Sequence, residues 1–316
     1  MTITLFIVVV AAIAGPVLVS LLVEAIRTNP DEPAALSWAP DLPVQHTLID
    51  GLRLRYVKVG DGPPLVLLHT LRTQLDIFQK VIPGLAGTFT VYALDCPGHG
   101  WSDIPATDYT PSFFTGIVGR FLDEQGIRNA TLAGVSIGGT ISLLLAARRH
   151  PGVASVVAIN SYDYAKGRGI TRANLVAWLV FTLARFPVIG ETVMRFRNPL
   201  IERRIMEGGV AGPDALPESF QREAYAVGCR RGHYQALLNL IHHADEWEES
   251  RSEYGRISVP ALVVYGDQDW SRESERRATF EGIPGARLEV VRDGGHFLSL
   301  DRPQDVVRLV REFTKY

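Results

Sequence analysis

Three side chains that could act together as a nucleophile, a base and an orienting carboxylate occur in this sequence, each near glycine. Ser136 is the centre of a Gly-x-Ser-x-Gly pattern, Asp269 lies three residues after a glycine, and His296 directly follows a glycine pair. A serine hydroxyl becomes nucleophilic when a histidine takes its proton, and a carboxylate holds the other ring nitrogen of that histidine. These residue types indicate acyl transfer through a serine nucleophile.

The chain also carries elements that would bring these three residues together. Short runs of β-branched residues alternate with longer helical stretches, which predicts an α/β fold with a mostly parallel central sheet and helices on both faces. Ser136, Asp269 and His296 each follow a predicted strand, and we expect all three at the carboxyl edge of the sheet. The predicted strands are residues 52–59, 64–69, 88–95, 130–135, 153–160, 261–266 and 287–292, and the predicted helices are residues 75–85, 112–125, 138–150, 271–282 and 303–315.

The order Ser136, Asp269, His296 is that of the catalytic triad in α/β-hydrolases. Several segments have the residues of that family in the family's order, so residues 44–316 resemble the α/β-hydrolase fold superfamily. The segments are Leu67-Leu68-His69, Asp95-Cys96-Pro97-Gly98-His99-Gly100-Trp101-Ser102, Gly266-x-x-Asp269 and Gly294-Gly295-His296-Phe297. The resemblance implies the α/β-hydrolase fold, with a helical lid over the serine.

The resemblance also implies a mechanism. Ser136 would attack a carbonyl carbon while His296 takes its proton, and Asp269 would hold the imidazole. The backbone N–H groups of Leu71 and Ile137 would form the oxyanion hole, and water would then release the acyl group. Haloalkane dehalogenases and epoxide hydrolases resemble this fold but have an aspartate in place of the serine, so the serine argues against those activities.

Two positions differ from the family pattern or leave a choice. The family usually has glycine after the histidine of the oxyanion loop, whereas this chain has the β-branched Thr70, which restricts the backbone. Asp267 and Asp163 are alternatives to Asp269 as the acid, because Asp163 follows a strand after which some relatives carry theirs. The family spacing from the glycine before it favours Asp269.

The sequence of the amino-terminal segment predicts a membrane anchor. Residues 2–23 contain no charged side chain, and as a helix they would span about 33 Å, close to the thickness of a bilayer core. We predict a single transmembrane anchor over residues 1–27, with a cleaved signal peptide or a buried core helix as the alternatives. Arg27 after the apolar run favours a cytoplasmic main domain. The proline-rich residues 28–44 predict an extended tether to a domain over residues 45–316.

The predicted strands stop between residues 161 and 257, a stretch that we predict to be the helical lid. Residues 175–181 are almost wholly apolar and must contact protein, lipid or substrate. We assign Trp178 and Phe181 among them to the lid and substrate site, with packing on the sheet as the alternative. Residues 165–205 contain eight Lys or Arg against two Glu. A basic, apolar lid beside an anchor favours anionic membranes. The sequence thus predicts a membrane-anchored serine hydrolase similar to monoacylglycerol lipases and esterases, acting on a lipid ester.

Composition limits the other functions. The 316 residues carry 32 Lys or Arg against 34 Asp or Glu, a balance that argues against nucleic-acid binding. The two cysteines and the pair His242 and His243 match no metal-site spacing, and we predict no metal and no cofactor. A hydrolase of a soluble thioester or carbon–carbon bond, an acyltransferase and a non-catalytic binding protein of the same fold remain alternatives.

Overall fold

The computed structural model describes residues 3–315, with side chains from residue 14 onward. Within that part of the chain, the strands form one eight-stranded sheet in the order β1-β2-β4-β3-β5-β6-β7-β8. β1 and β2 are antiparallel to their neighbours, and the other pairs are parallel. The strands are β1 (Val44–Ile49), β2 (Leu52–Val59), β3 (Pro64–Leu68), β4 (Thr90–Leu94), β5 (Ala130–Val135), β6 (Val153–Ile159), β7 (Ala261–Gly266) and β8 (Arg287–Val291).

Helices cover both faces of this sheet. Successive side chains of a strand point to opposite faces, so that in β5 Leu132 belongs to one apolar cluster and Ala133 to the other. The α-helices are α1 (Ile3–Ala25), α2 (Ile82–Ala86), α3 (Pro111–Glu124), α4 (Ile137–Ala147), α5 (Leu175–Leu183), α6 (Ile189–Arg195), α7 (Pro199–Glu207), α8 (Glu218–Gly228), α9 (His233–His242), α10 (Ala244–Glu249), α11 (Glu273–Glu281), α12 (Leu298–Asp301) and α13 (Pro303–Phe313), with 3₁₀ helices at Leu75–Phe78, Ala165–Gly167, Gly169–Arg172, Pro213–Ala215 and Ser250–Arg256.

The single helix predicted over residues 75–85 is in fact two short ones, a 3₁₀ turn at Leu75–Phe78 and α2. Pro83 is the second residue of α2. Proline has no N–H to donate, and its ring clashes with the carbonyl one turn earlier, so a continuous helix could not pass through this position. Proline does fit the first turn of a new helix.

The predicted anchor over residues 1–27 contains α1, but side chains 1–13 lie outside the described ones. From residue 14 to residue 315, no helix is both long and apolar enough to cross a membrane, and the transmembrane helix is not confirmed. The carboxyl-terminal end of α1 contacts the lid. The Glu24 carboxylate accepts two hydrogen bonds from Arg197 at 2.8 and 2.9 Å, and Arg27 donates to the Arg195 carbonyl at 2.8 Å.

The proline-rich residues 28–44 differ from the predicted tether, because they pack along the domain. Leu36 is fully buried in the core, and the indole N–H of Trp38 donates to the Asp76 carboxylate at 2.7 Å. These apolar side chains are interspersed among the prolines, and burying them is favourable enough to hold an otherwise extended segment against the protein surface.

Candidate active site

Ser136 lies on the turn between β5 and α4, with φ 57° and ψ −116°. A serine in this region of backbone space is strained, and the surrounding structure must hold it. Its N–H donates to the Ile159 carbonyl at 2.8 Å, which ties the turn to the next strand. A methyl group on Gly138 would overlap the Leu68 carbonyl oxygen. Glycine here therefore lets the start of α4 approach the end of β3, and with it the loop that follows.

Asp269 and His296 meet at the same edge of the sheet, in the loops after β7 and β8. The His296 Nδ1 atom and the Asp269 Oδ1 atom are 2.6 Å apart, and both side chains are buried. The other carboxylate oxygen accepts hydrogen bonds from the N–H and the hydroxyl of Ser271. Burial alone would raise the pKa of Asp269, but the His296 charge and these hydrogen bonds outweigh it and lower that pKa. The carboxylate is therefore ionised at neutral pH.

The two alternative acids have other partners. Asp163 accepts hydrogen bonds from the Thr279 hydroxyl at 3.0 and 3.1 Å, and burial raises its pKa to about 6. Asp267 accepts a hydrogen bond from the Gly294 N–H at 3.2 Å, so it shapes the loop that carries His296. Of the three aspartates, the structure brings Asp269 to the histidine.

The loop after β3 carries the predicted oxyanion donor Leu71. The Thr70 carbonyl faces His69 Nδ1 at 2.8 Å, and the Cys96 N–H donates to His69 Nε2 at 2.9 Å. A carbonyl can only accept and an amide can only donate, so His69 is neutral with its proton on Nδ1. The Thr70 carbonyl also accepts from Thr73. These bonds hold the loop with threonine in place of the family's glycine.

The other predicted oxyanion donor, Ile137, is the first residue of α4. The N–H groups of a first helical turn have no partner within the helix, so this one remains available to a developing negative charge. Leu71 and Ser136 line the same cavity, and His296 lines it as well. Among residues 14–315 no hydrogen bond joins the Ser136 hydroxyl to His296, and such bonds are often long until substrate is in place.

This cavity is small. Its free volume is about 20 Å³, which is roughly the space for one water molecule. Ile205 and Met206 of α7 close it from the lid side. Neither of the predicted lid contacts lines it: Phe181 is buried elsewhere in the core, and Trp178 is half exposed on the surface. The apolar pattern of α5 showed that this helix has an apolar surface, but it did not show which side chains face the core and which face solvent.

Two residues of the site were missed by sequence reasoning. The Trp270 ring stacks on the His296 ring with centroids 3.8 Å apart and planes 12° from parallel. Its indole N–H donates to the Gly208 carbonyl of the lid at 2.7 Å. Arg72 also lines the cavity. An aromatic residue directly after the predicted acid and a cation directly after the predicted oxyanion donor were the signals available in the sequence.

Comparison with known proteins agrees with this fold. Residues 65–309 match the family described as the α/β hydrolase family. The chain belongs to the α/β hydrolase family. This α/β hydrolase is 28% identical to a haloalkane dehalogenase of Psychrobacter cryohalolentis over 83% of this chain and 87% of that one. It is 27% identical to a dihydrolipoyllysine acetyltransferase component of an acetoin-cleaving system of Cupriavidus necator, over 84% of this chain and 67% of that one.

Solved structures resemble the α/β hydrolase chain in fold. Cfl2 of Burkholderia cenocepacia has a TM-score of 0.75 at 23% identity, over 85% of this chain and 95% of its own. A membrane phospholipase A described as a bacterial virulence factor has a TM-score of 0.72 at 22% identity, over 99% of this chain and 97% of its own. The predicted α/β-hydrolase fold with its mostly parallel sheet is confirmed, and the family supports a hydrolase.

Proposed function

We propose that the protein is a serine hydrolase that cleaves carboxylic esters through an acyl-enzyme. The observation that carries this proposal is the buried Asp269–His296 pair, of which His296 lines one cavity with Ser136 and the oxyanion loop. The serine is on a strained turn that exposes its hydroxyl to this cavity. Aspartate would be expected at this position in a dehalogenase or an epoxide hydrolase, and its replacement by serine favours acyl chemistry.

In this proposal each proton has a named donor and acceptor. His296 takes the Ser136 proton at Nε2 as the hydroxyl oxygen attacks the ester carbonyl, while ionised Asp269 holds Nδ1–H and stabilises the imidazolium. The N–H groups of Leu71 and Ile137 donate to the oxyanion. His296 then gives its proton to the departing alcohol. In the second half, it activates water that attacks the acyl carbon and restores Ser136.

We further propose that the substrate is an apolar acyl ester drawn from a membrane, as in monoacylglycerols and lysophospholipids. The outer face of the lid supports this, because Leu175 and Leu200 are each 76% exposed and lie on neighbouring helices. The alignment with the membrane phospholipase A supports it too, since it extends over 99% of the chain and so reaches α1. In this proposal residues 1–27 anchor the protein with its hydrolase domain on the cytoplasmic side.

A fluorophosphonate probe tests the chemistry, because it labels activated serines. We expect the full-length protein to be labelled and the Ser136→Ala variant to stay unlabelled. An unlabelled wild-type protein with a cooperative thermal transition would overturn the proposal and favour a binding function.

The lipid part needs a separate test. We expect longer acyl chains to be hydrolysed faster than dissolved short ones, and the full chain to sediment with membranes. Deleting residues 2–17 keeps the Glu24 and Arg27 contacts with the lid, and should release a folded, labelled enzyme into the soluble fraction. If the deletion variant stayed with membranes, or if short soluble esters were the better substrates, the membrane proposal would fail.

A further inference from the structure

Arg72 makes a buried ion pair between the oxyanion loop and the lid. Its Nε donates to Glu202 Oε1 at 3.1 Å, and its Nη2 pairs with the second oxygen of the same carboxylate. Both side chains are more than nine-tenths buried. Arg72 directly follows the oxyanion donor Leu71, and it lines the cavity of Ser136. A planar guanidinium bound by two parallel hydrogen bonds is the geometry with which arginine recognises carboxylates and phosphates.

Other basic residues lie close to this pair. His233 is buried nearby, and among residues 14–315 its Nε2 has no hydrogen-bond partner. Burial and then the charges of Arg72 and other arginines hold the pKa of His233 well below its ordinary value. Arg230, one of those arginines, donates to the carbonyl oxygens of Gly100 and Ser102 rather than to a carboxylate. Among residues 14–315, Glu202 is the carboxylate that pairs with Arg72.

Opening the site separates the pair. A cavity of about 20 Å³ cannot hold an ester, and the same helix α7 carries Glu202, Ile205 and Met206 on its buried face. Moving that helix away from the serine removes the Glu202 carboxylate from Arg72. An uncompensated buried charge is strongly unfavourable. A substrate that brings its own anionic group to Arg72 restores the pairing, whereas a neutral ester leaves the charge unpaired.

We propose that Arg72 is an anion subsite of the substrate pocket, that the substrate is an acyl ester which also carries a phosphate or carboxylate group, and that Glu202 occupies this subsite while the lid is closed. The inference rests on the proposed serine hydrolase function and narrows the proposed substrates to esters that carry an anionic group, as lysophospholipids do and monoacylglycerols do not.

The test compares two soluble esters that differ in one charge, 1-butanoylglycerol and 1-butanoylglycerol 3-phosphate. We expect the wild-type enzyme to prefer the phosphate ester in kcat/KM. In Arg72→Met the ratio of the two kcat/KM values should fall by about 10- to 100-fold, the size of a charge-assisted hydrogen-bonded pair. In Arg72→Lys the ratio should lie between those of the wild type and Arg72→Met, because lysine keeps the charge but cannot make the two parallel hydrogen bonds of arginine. Arg204→Met removes an exposed arginine of α7, the helix that carries Glu202, and should leave the ratio unchanged.

Glu202→Gln provides the opposite change. Without the internal carboxylate, we expect KM for the phosphate ester to fall and its preference over the neutral ester to rise. If the Arg72–Glu202 pair only held the loop against the lid, Glu202→Gln would instead change kcat/KM for both esters by the same factor. That result would overturn the proposal. So would a wild-type preference for the neutral ester, or a ratio unaltered in Arg72→Met.

Two dissolved inhibitors separate the possible sources of the anion. Glycerol 3-phosphate should compete with the phosphate ester and lose affinity in Arg72→Met. Inhibition by inorganic phosphate that depends on Arg72, together with an unaltered ester ratio, would assign the subsite to a free anion and overturn the substrate assignment. Fluorophosphonate labelling of every variant reports the serine separately, so a loss of labelling marks failure of the hydrolase proposal itself.

Discussion

The loops at the sheet edge and the lid meet at Ser136, but they are held in different ways. At the sheet edge the backbones touch: a methyl group on Gly266 would overlap the Gly294 carbonyl, so the loop of Asp269 and the loop of His296 are in direct contact. Helix α7 of the lid is joined to this edge through the Arg72–Glu202 pair. The residues that follow α7 are joined to it through the Trp270 hydrogen bond to the Gly208 carbonyl and through the Phe297 N–H, which donates to the Gly209 carbonyl at 2.7 Å. Bonds between side chains can be exchanged for bonds to a substrate, while packed backbones cannot move apart without unfolding.

This contrast separates chemistry from access. Groups that transfer protons must keep their geometry within a fraction of an ångström, and the sheet edge provides that rigidity. A closed cavity must open before an ester can enter, and a lid that exposes Leu175 and Leu200 has few apolar contacts to lose on its outer side. We therefore expect substitutions at the sheet edge to abolish turnover and substitutions at the lid boundary to modify it.

The largest effect is expected from Ser136→Ala. Removing the nucleophile should reduce kcat by about 10⁵- to 10⁶-fold, as for other triads that act as a unit. The hydroxyl makes no hydrogen bond within residues 14–315 that the fold would lose, so the thermal unfolding midpoint should stay close to that of the wild type. Steady-state ester hydrolysis and calorimetry measure the two quantities. Residual turnover above about one per cent would mean that another group is the nucleophile.

Asp269→Asn should follow, with kcat lower by about 10⁴-fold. The amide cannot accept the Nδ1–H of His296 with the same charge, and it favours the wrong tautomer of the ring. The variant should keep its fold, because Asn can still accept the hydrogen bonds from Ser271. Ester hydrolysis across pH 5 to 9 is the measurement. A decrease in kcat of less than about tenfold would point to a different acid. It would also contradict the view that the loops at the sheet edge hold the catalytic groups rigidly.

Trp270 is at the boundary between the two regions and should show an intermediate effect. The ring lies flat on His296, and a stacked aromatic face stabilises the imidazolium that forms during catalysis. Trp270→Leu removes the stack and the lid hydrogen bond, and should lower kcat about tenfold. Trp270→Phe keeps an aromatic face and loses only the bond to Gly208, so it should recover most of kcat. Equal losses in the two variants would show that the lid contact matters and the stack does not.

The same contrast explains what could be predicted from the sequence. Ser136 and Asp269 each follow a strand of buried residues, and His296 follows the more exposed edge strand β8, whose apolar and β-branched residues still mark it as a strand. A local pattern was therefore enough to place all three on one edge. Arg72 and Glu202 are 130 positions apart, and no local pattern reports a contact that depends on how the lid helices pack. For that reason the sequence did not show that Trp178 lies half exposed on the surface and outside the cavity of Ser136. β1 was missed because it is an edge strand with a single fully buried residue, Ile49.

The smallest effect on turnover is expected at Asp163, which follows β6 and was an alternative to Asp269 as the acid. Asp163 is buried beside Thr279 and not beside His296, so Asp163→Asn should change kcat by less than about twofold, as expected of a substitution away from the reacting groups. Its effect should appear in stability. Burial raises its pKa from 3.8 to about 6, so between these pH values the folded chain binds more protons than the unfolded one. The contribution of Asp163 to the free energy of unfolding of the wild type therefore falls as pH rises from about 4 to 6.

The asparagine side chain does not titrate and can still accept the Thr279 hydrogen bond. We expect Asp163→Asn to be more stable relative to wild type at pH 7 than at pH 4, by about 3 kcal/mol for a shift of two pKa units. Urea unfolding at both pH values gives this difference directly. A constant difference would mean that Asp163 ionises normally. If this variant lost ester hydrolysis while Asp269→Asn retained labelling, the acid of the triad would be Asp163 in the loop after β6 and not Asp269 in the loop after β7.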